Sequence, residues 1–271
     1  MSLSLLARRT ALKVLPRHLW FVFRNRYYAG VARWSAKWHR RRLSRIGGMV
    51  VSGPFRGMRY VEEAVGSAFL PKLLGTYELE LHPAIEKLRT MDFGLVVDVG
   101  AAEGYYAVGS ALLWPSARIV AFETEETGRR LCGELAVRNG AGARVEVHGI
   151  ADLPSFRAIL DGASEARTLV IMDVEGAEIA LLDPSLNPAL ARAAILVECH
   201  DDEGKPIAAT LEARFRATHR VETFLSRHRA PADYPLSDRP PFGWDAPVLA
   251  AMAEHRPRQM AWLLMLPSNM A

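Results

Sequence analysis

From Leu95 onward the apolar positions fall into short continuous runs, each closed by Gly or an acidic residue and followed by a stretch of helical period. Runs of that kind suit strands buried on both faces, and their alternation with amphipathic stretches predicts βαβ units in a mostly parallel sheet. The runs are LVVDVG at 95–100, RIVAFE at 118–123, RVEVHGI at 144–150, TLVIMDVEG at 168–176 and AAILVECH at 193–200. Between them YYAVGSALLW reads as a helix stopped by Pro115, a second helix runs from Glu126 to Arg138 and ends on Asn139-Gly140, and a short one falls around Ser155 to Leu160. After Pro206, Ile207, Leu211 and Phe215 share one helical face, with Asp201 and Asp202 placed for its N-terminal dipole. VETFL at 221–225 and QMAWLLMLP at 259–267 supply two last strands, and the Pro-rich stretch between them, 229–247, is too long for a simple connection. The sum is an α/β, doubly wound, seven-stranded and mostly parallel sheet.

Ahead of the sheet the pattern changes. Trp20, Phe23, Tyr27, Val31, Trp34 and Trp38 recur every three or four residues, which lines one face of a helix beginning after Pro16, while Arg24, Arg26, Arg33, Lys37 and Arg40 to Arg42 fill the rest. The expected organisation is a basic, aromatic-rich helical extension over 1–47, a lead-in packing on the core over 48–93, and a cofactor-binding domain over 94–271.

Charge sharpens that division. Residues 1–60 carry 14 Lys or Arg and no acid, which leaves 20 basic against 30 acidic residues in the remainder of a chain whose net charge is +4. The arm alone would feel phosphate or anionic lipid. Its aromatic stripe beside cations suits a membrane interface, equally a packing surface on the acidic body, and a nucleic acid is a further reading of the same pattern. Half the residues are apolar and 24% are charged, the balance of a folded globular chain. The best apolar run, Leu15 to Phe23, is interrupted by Pro16, Arg17 and His18, so no spanning helix is expected. The Arg-rich start has the look of a transit peptide but carries unusual Trp and Tyr. Cys132 and Cys199 sit in separate apolar stretches, as buried free thiols of a reducing compartment do. The expected location is cytoplasmic, with a peripheral place at the inner face of a membrane through the arm.

In open α/β sheets ligands lie beyond the carboxyl ends of the strands where the order reverses, so DVGAAEGYY after the first strand and AFETEE after the second carry the binding chemistry. Gly100 and Gly104 let backbone approach a ligand, and Glu123 can accept hydrogen bonds from both ribose hydroxyls. NAD and S-adenosyl-L-methionine both present such a ribose. A dinucleotide, however, wants GxGxxG, and the loop Gly100-Ala101-Ala102-Glu103-Gly104 lacks that spacing. Acid in the loop favours a cofactor with an ammonium and a sulfonium. Asp98, Gly100, Ala101, Glu103, Gly104, Tyr105, Glu123, Asp152 and Asp173 are the candidate cofactor residues, Asp152 for the adenine amine or as a helix cap.

Taken together, VVDVGAAEGYYAVG, AFETE, Asn139, IMDVEGAEIALL and LVECHD resemble class I S-adenosylmethionine-dependent methyltransferases and, more narrowly, the FkbM-type family. That resemblance implies Asp98, Gly100, Glu103 and Gly104 on the methionine side, Glu123 on the ribose, and O-methylation of small-molecule hydroxyls. Ala102 stands where such enzymes often have glycine. The flanks GTYELELHPAIEKL and HRPRQMAWLL look like a bacterial subgroup.

Asp173, Glu175 and Glu178 end the fourth strand and Glu198, His200, Asp201 and Asp202 the fifth, so neighbouring strand ends gather them. Asp173, Glu175 and His200 are the candidate catalytic residues: methyl transfer needs an aligned acceptor and, for a hydroxyl, a base. Asp173, Glu198 and His200 are also a donor set for a divalent cation. Helix capping is the plainer alternative for each acid. The expected acceptor is a small-molecule, glycan or lipid-linked hydroxyl, with Tyr234, Phe242 and Trp244 of the Pro-rich stretch placed to cover it. An RNA or protein methyltransferase using the arm, a NAD-dependent oxidoreductase and a non-catalytic binding module are the competing functions. No NPPY-like tetrapeptide follows the fourth strand; DVEG stands there.

Overall fold

The computed structural model describes residues 17–270 except 164–165, 202–203, 205 and 241–244, and of 17–23 the backbone only. Seven strands form one sheet: β1 Leu95–Val99, β2 Arg118–Phe122, β3 Val145–His148, β4 Thr168–Met172, β5 Ala194–Cys199, β6 His219–Leu225 and β7 Ala261–Pro267, in the spatial order β3-β2-β1-β4-β5-β7-β6. β1 through β5 pair in parallel, and β7 is inserted antiparallel to both β5 and β6. The order reverses between β1 and β4. Every strand expected from the apolar runs is present, so the doubly wound α/β sheet is the observed one.

The continuous runs are explained by helices on both faces. Val96, Ile119, Leu169, Ile171, Leu196 and Leu264 point into one apolar layer, and Val97, Val99, Val120, Val170, Ile195 and Met265 into the other. In chain order the helices are α1 Arg17–Ser44, α2 Phe69–Leu74, α3 His82–Arg89, α4 Tyr105–Leu113, α5 Glu126–Arg138, α6 Leu153–Asp161, α7 Glu178–Leu181, α8 Ile207–Phe215 and α9 Asp245–Ala251. Asp152 caps α6 by accepting the Ser155 N–H at 2.8 Å, and Asp201 accepts the Ala208 N–H of α8 at 3.0 Å. Asp202 lies outside the described residues.

The lead-in is bolted to α4 and α5. Phe55 is buried edge-on against Tyr105 and Tyr106, and it fits because position 109 is glycine: a Cβ there would lie 2.6 Å from the Phe55 ring. Asn139 closes α5 and clamps Arg59, accepting its N–H and donating to its carbonyl, both at 2.8 Å. Among the described residues no helix is long and apolar enough to cross a membrane. Both cysteines are free and buried, and burial pushes the Cys132 thiol up to about 12.

The Pro-rich stretch departs from expectation. It carries a 3-10 turn at Pro231–Asp233 and ends in α9, and Tyr234 is buried against α1, where its hydroxyl meets His39 Nε2 at 2.9 Å. Tyr234 therefore packs on the N-terminal helix; Phe242 and Trp244 are outside the described residues.

Candidate functional site

At the reversal of strand order the carboxyl ends of β1, β2, β4 and β5 open into a cavity of about 850 Å³. Gly100 makes the β1 turn with φ of +91°, and a Cβ on it would sit 1.8 Å from the Asp173 carbonyl oxygen, so only glycine lets the β1 and β4 ends approach. Asp98, Gly100, Ala101, Tyr105, Glu123 and Asp173 all line this cavity, together with Glu175, Glu198 and His200.

Two candidate residues face elsewhere, and a third caps a helix. Glu103 is fully buried beneath the loop: Lys72 Nζ lies 2.6 Å from Oε1, the Tyr60 hydroxyl donates to the same oxygen at 2.5 Å, and the Val65 N–H donates to Oε2 at 3.0 Å. Burial alone would raise its pKa, but Lys72 and these donors hold the carboxyl below the usual range. Expected on the methionine side, Glu103 is instead the post that ties the lead-in to the loop. Gly104, with φ of +94°, faces α5, where a Cβ would meet Cys132 Sγ at 2.8 Å. Asp152 spends its carboxylate on the α6 cap and does not line the cavity, whose lining after β3 is Gly149, Ile150 and Ala151.

Glu123 holds the loop from the β2 side, accepting the Ala102 and Glu125 N–H groups, each at 2.7 Å. Asp98 is buried, and its Oδ2 has no hydrogen-bond partner. Burial, against one donated backbone N–H from Ala107 and with Glu123 nearby, pushes its pKa up to about 7. A buried carboxylate oxygen without a partner at the floor of a cavity is a group placed for a cation.

At the other end His200 Nδ1–H donates to Glu178 Oε1 at 2.7 Å, which aims Nε2 at Asp173 Oδ1, 3.4 Å away, and Glu198 Oε2, 3.6 Å away. Glu178 is fully buried, so the ring's orientation is set from beneath. Burial lowers the imidazole pKa, yet Glu178, Asp173 and Glu198 outweigh it and the net shift is upward. Burial and the Glu78 carboxylate push Asp173 up to about 6. Glu175 stands exposed at the rim.

Sequence reading gave no role to Arg256, Arg229, Glu78, Glu80 or Glu254, which hold this end together around Glu198. Arg256 bonds Glu78, Glu198 and Glu254, the last at 2.9 Å, while Arg229 joins Glu80 at 2.8 Å and Glu254. Burial and the neighbouring Glu198 raise the Glu78 pKa. The only signal in the chain was that Glu78 and Arg256 fall in the two flanks GTYELELHPAIEKL and HRPRQMAWLL. Backbone strain gathers here too. The non-glycine residues with positive φ among the described residues are Glu78, Ala102, Glu175 and His255; three line the cavity and the fourth is bonded to Arg256, which does.

No protein-family model matches the chain, and no curated protein does. Solved structures of similar fold include the precorrin-6y C5,15-methyltransferase of Geobacter metallireducens, 14% identical with a TM-score of 0.47 over 77% of this chain and 92% of that one. The O-methyltransferase TomG of Streptomyces achromogenes is 15% identical with a TM-score of 0.45 over 76% and 83%. An O-methyltransferase of Bacillus cereus is 12% identical with a TM-score of 0.42 over 66% and 77%. At these identities and scores the likenesses bear on neither substrate nor residue roles. The narrower FkbM-type resemblance is corrected: the residues that suggested it build the strands, turns and helices of the Rossmann-like sheet, and the fold supports nothing narrower. The chain has the α/β Rossmann-like fold of class I S-adenosylmethionine-dependent methyltransferases, with a mixed seven-stranded sheet and an N-terminal helix.

Proposed function

We propose that the chain is an S-adenosylmethionine-dependent methyltransferase acting on a hydroxyl of a small-molecule, glycan or lipid-linked acceptor. The observation that carries the reading is the single cavity joining Glu123, the partnerless Oδ2 of Asp98 and the Asp173–His200–Glu198 cluster. The donor set fits the cofactor. Glu123 has lone pairs left for two ribose hydroxyls, Gly149, Ile150 and Ala151 form a mostly apolar rim for the purine, and Asp98 answers the ammonium.

When bound, the cofactor supplies a methyl group on a positively charged sulfur. The chain's part is to align the acceptor oxygen with that carbon, exclude water and take the hydroxyl proton as the carbon–oxygen bond forms and the carbon–sulfur bond breaks. His200 Nε2, held by Glu178 and facing Asp173, is the group positioned to receive the proton.

Titration calorimetry with S-adenosylhomocysteine, and in parallel with NAD, tests the reading without knowledge of the acceptor. The expected result is binding of the first alone, weakened roughly ten- to a hundredfold in Glu123→Ala by loss of charge-assisted hydrogen bonds. Asp152→Ala should bind as the parent does. Preference for NAD, or no binding of either, would sink the reading. Affinity should also fall as pH drops below about 7, because Asp98 then carries a proton and no longer answers the ammonium; a flat profile removes Asp98 from that role.

A second reading is favoured by one observation: ligand atoms of Asp173, Glu198 and His200 all lie within 4.8 Å of one another. A divalent cation there would bind the acceptor oxygen and lower its pKa. Arg256 already neutralises one oxygen of Glu198, which favours the metal-free arrangement. Turnover abolished by chelator and restored by magnesium or manganese would reverse that preference.

A further inference from the structure

The N-terminal helix touches the body along one edge. Ser35 donates to the Pro247 carbonyl at 2.6 Å, His39 meets Tyr234, and Leu43 is fully buried; spaced by four, they form a single stripe. Of the aromatic stripe, Tyr27 and Trp34 do not make this contact. Tyr27 is 47% and Trp34 43% exposed, beside Trp38, which stacks on Trp34 with ring centroids 6.5 Å apart. By helical geometry Arg26, Arg33, Lys37 and Arg41 point away from the buried edge, and all four are exposed. These four cations thus turn outward from the body, whereas Arg42 bonds Asp238 and Arg40 lies over the Phe69 ring. The 16 preceding residues add Arg8, Arg9 and Lys13 and no acid.

Beside the stripe lies a groove of about 370 Å³ lined by Trp34, Lys37, Trp38, Arg41, Arg42 and Arg45 and closed by Asp238, which holds Arg42 at 2.8 Å. Its size and charge suit a phosphate headgroup. We infer that α1 docks the protein on an anionic phospholipid surface, with a headgroup phosphate in this groove and Tyr27 and Trp34 at the interfacial level. Aromatic rings beside Lys and Arg on a one-sided helix match the headgroup plane. Nucleic acid fits less well, because Trp34 and Trp38 turn ring faces toward each other and the outward cations sit on a convex helix, where no groove follows a strand. This inference goes beyond the methyl-transfer reading and does not depend on it.

The test is sedimentation of the full chain with vesicles of phosphatidylcholine alone and of phosphatidylcholine with about a third phosphatidylserine. Binding to the second should exceed binding to the first and decline with salt. In Lys37→Gln/Arg41→Gln/Arg45→Gln it should fall roughly a hundredfold, at about fivefold per cation, while S-adenosylhomocysteine affinity and melting temperature stay at parental values. Equal binding to both vesicles, or a variant that sediments like the parent, overturns the inference. So does salt-sensitive binding of polyuridylate by a chain that ignores vesicles, an outcome that assigns the face to nucleic acid. Failure of cofactor binding with vesicle binding intact would strike the methyl-transfer reading alone.

Discussion

Lys72→Met should lower the unfolding free energy by about 3 to 5 kcal/mol, because it leaves the Glu103 carboxylate buried without its cation. Lys72 is 3% and Glu103 0% exposed, so water cannot take the place of the lost charge. The Tyr60 hydroxyl and the Val65 N–H remain as donors, which should keep the loss within that range. In the parent, Glu103 has a depressed folded pKa. Its contribution is therefore present above the unfolded carboxylate pKa and lost as pH falls through the folded value. In the variant Glu103 should titrate higher, so the deficit shrinks on acidification. Lys72→Met/Glu103→Gln should recover most of the loss at neutral pH. Urea unfolding followed at several pH values checks each point, and a neutral-pH deficit under about 1 kcal/mol would show that the pair is no more than a surface-type bridge.

The second large effect is expected in turnover. His200→Ala should reduce kcat by about a hundred- to ten-thousandfold if the imidazole takes the acceptor proton, with S-adenosylhomocysteine affinity little changed. Glu178→Gln should act through the ring, lowering kcat and also the His200 pKa seen by imidazole NMR. That second readout separates positioning from mere structural support. The parent imidazole should titrate above 6.5, since the surrounding carboxylates outweigh burial. Its charged form thus stabilises the fold below 6.5, and that contribution is lost as pH rises through the folded value. Turnover should have the opposite slope, rising as His200 loses its proton. Activity of His200→Ala within tenfold of the parent removes the imidazole from the mechanism.

Much of the fold was legible because its cues are local. LVVDVG, TLVIMDVEG and AAILVECH are apolar without alternation, as strands covered on both faces must be, and Asn139-Gly140 stops α5 where the backbone turns. The order of parallel strands then delivers Asp98, Glu123, Asp173 and His200 to one cavity, since Asp98 is the penultimate residue of β1 and each of the others directly follows the last residue of its strand. Only part of the lead-in was readable, because α2 and α3 are too short to form on their own pattern, and α2 is tied through Lys72 to Glu103 in the loop after β1.

The identity and sequence of the elements, the glycine turn after β1 and the acids at the strand ends were thus determined by the chain's own periodicity and residue types. Tertiary structure alone decided where irregular segments aim their side chains. Ala102, at φ of +48°, turns the loop so that Glu103 goes inward to Lys72 while Gly100 and Ala101 stay at the cavity. It also decided that Glu78 and Arg256, 178 residues apart, meet beneath the candidate acceptor site, and which edge of α1 is spent on the body. Local pattern encodes period and termination, whereas ion pairing across the fold and the facing of a helix follow from which surfaces come to lie against each other.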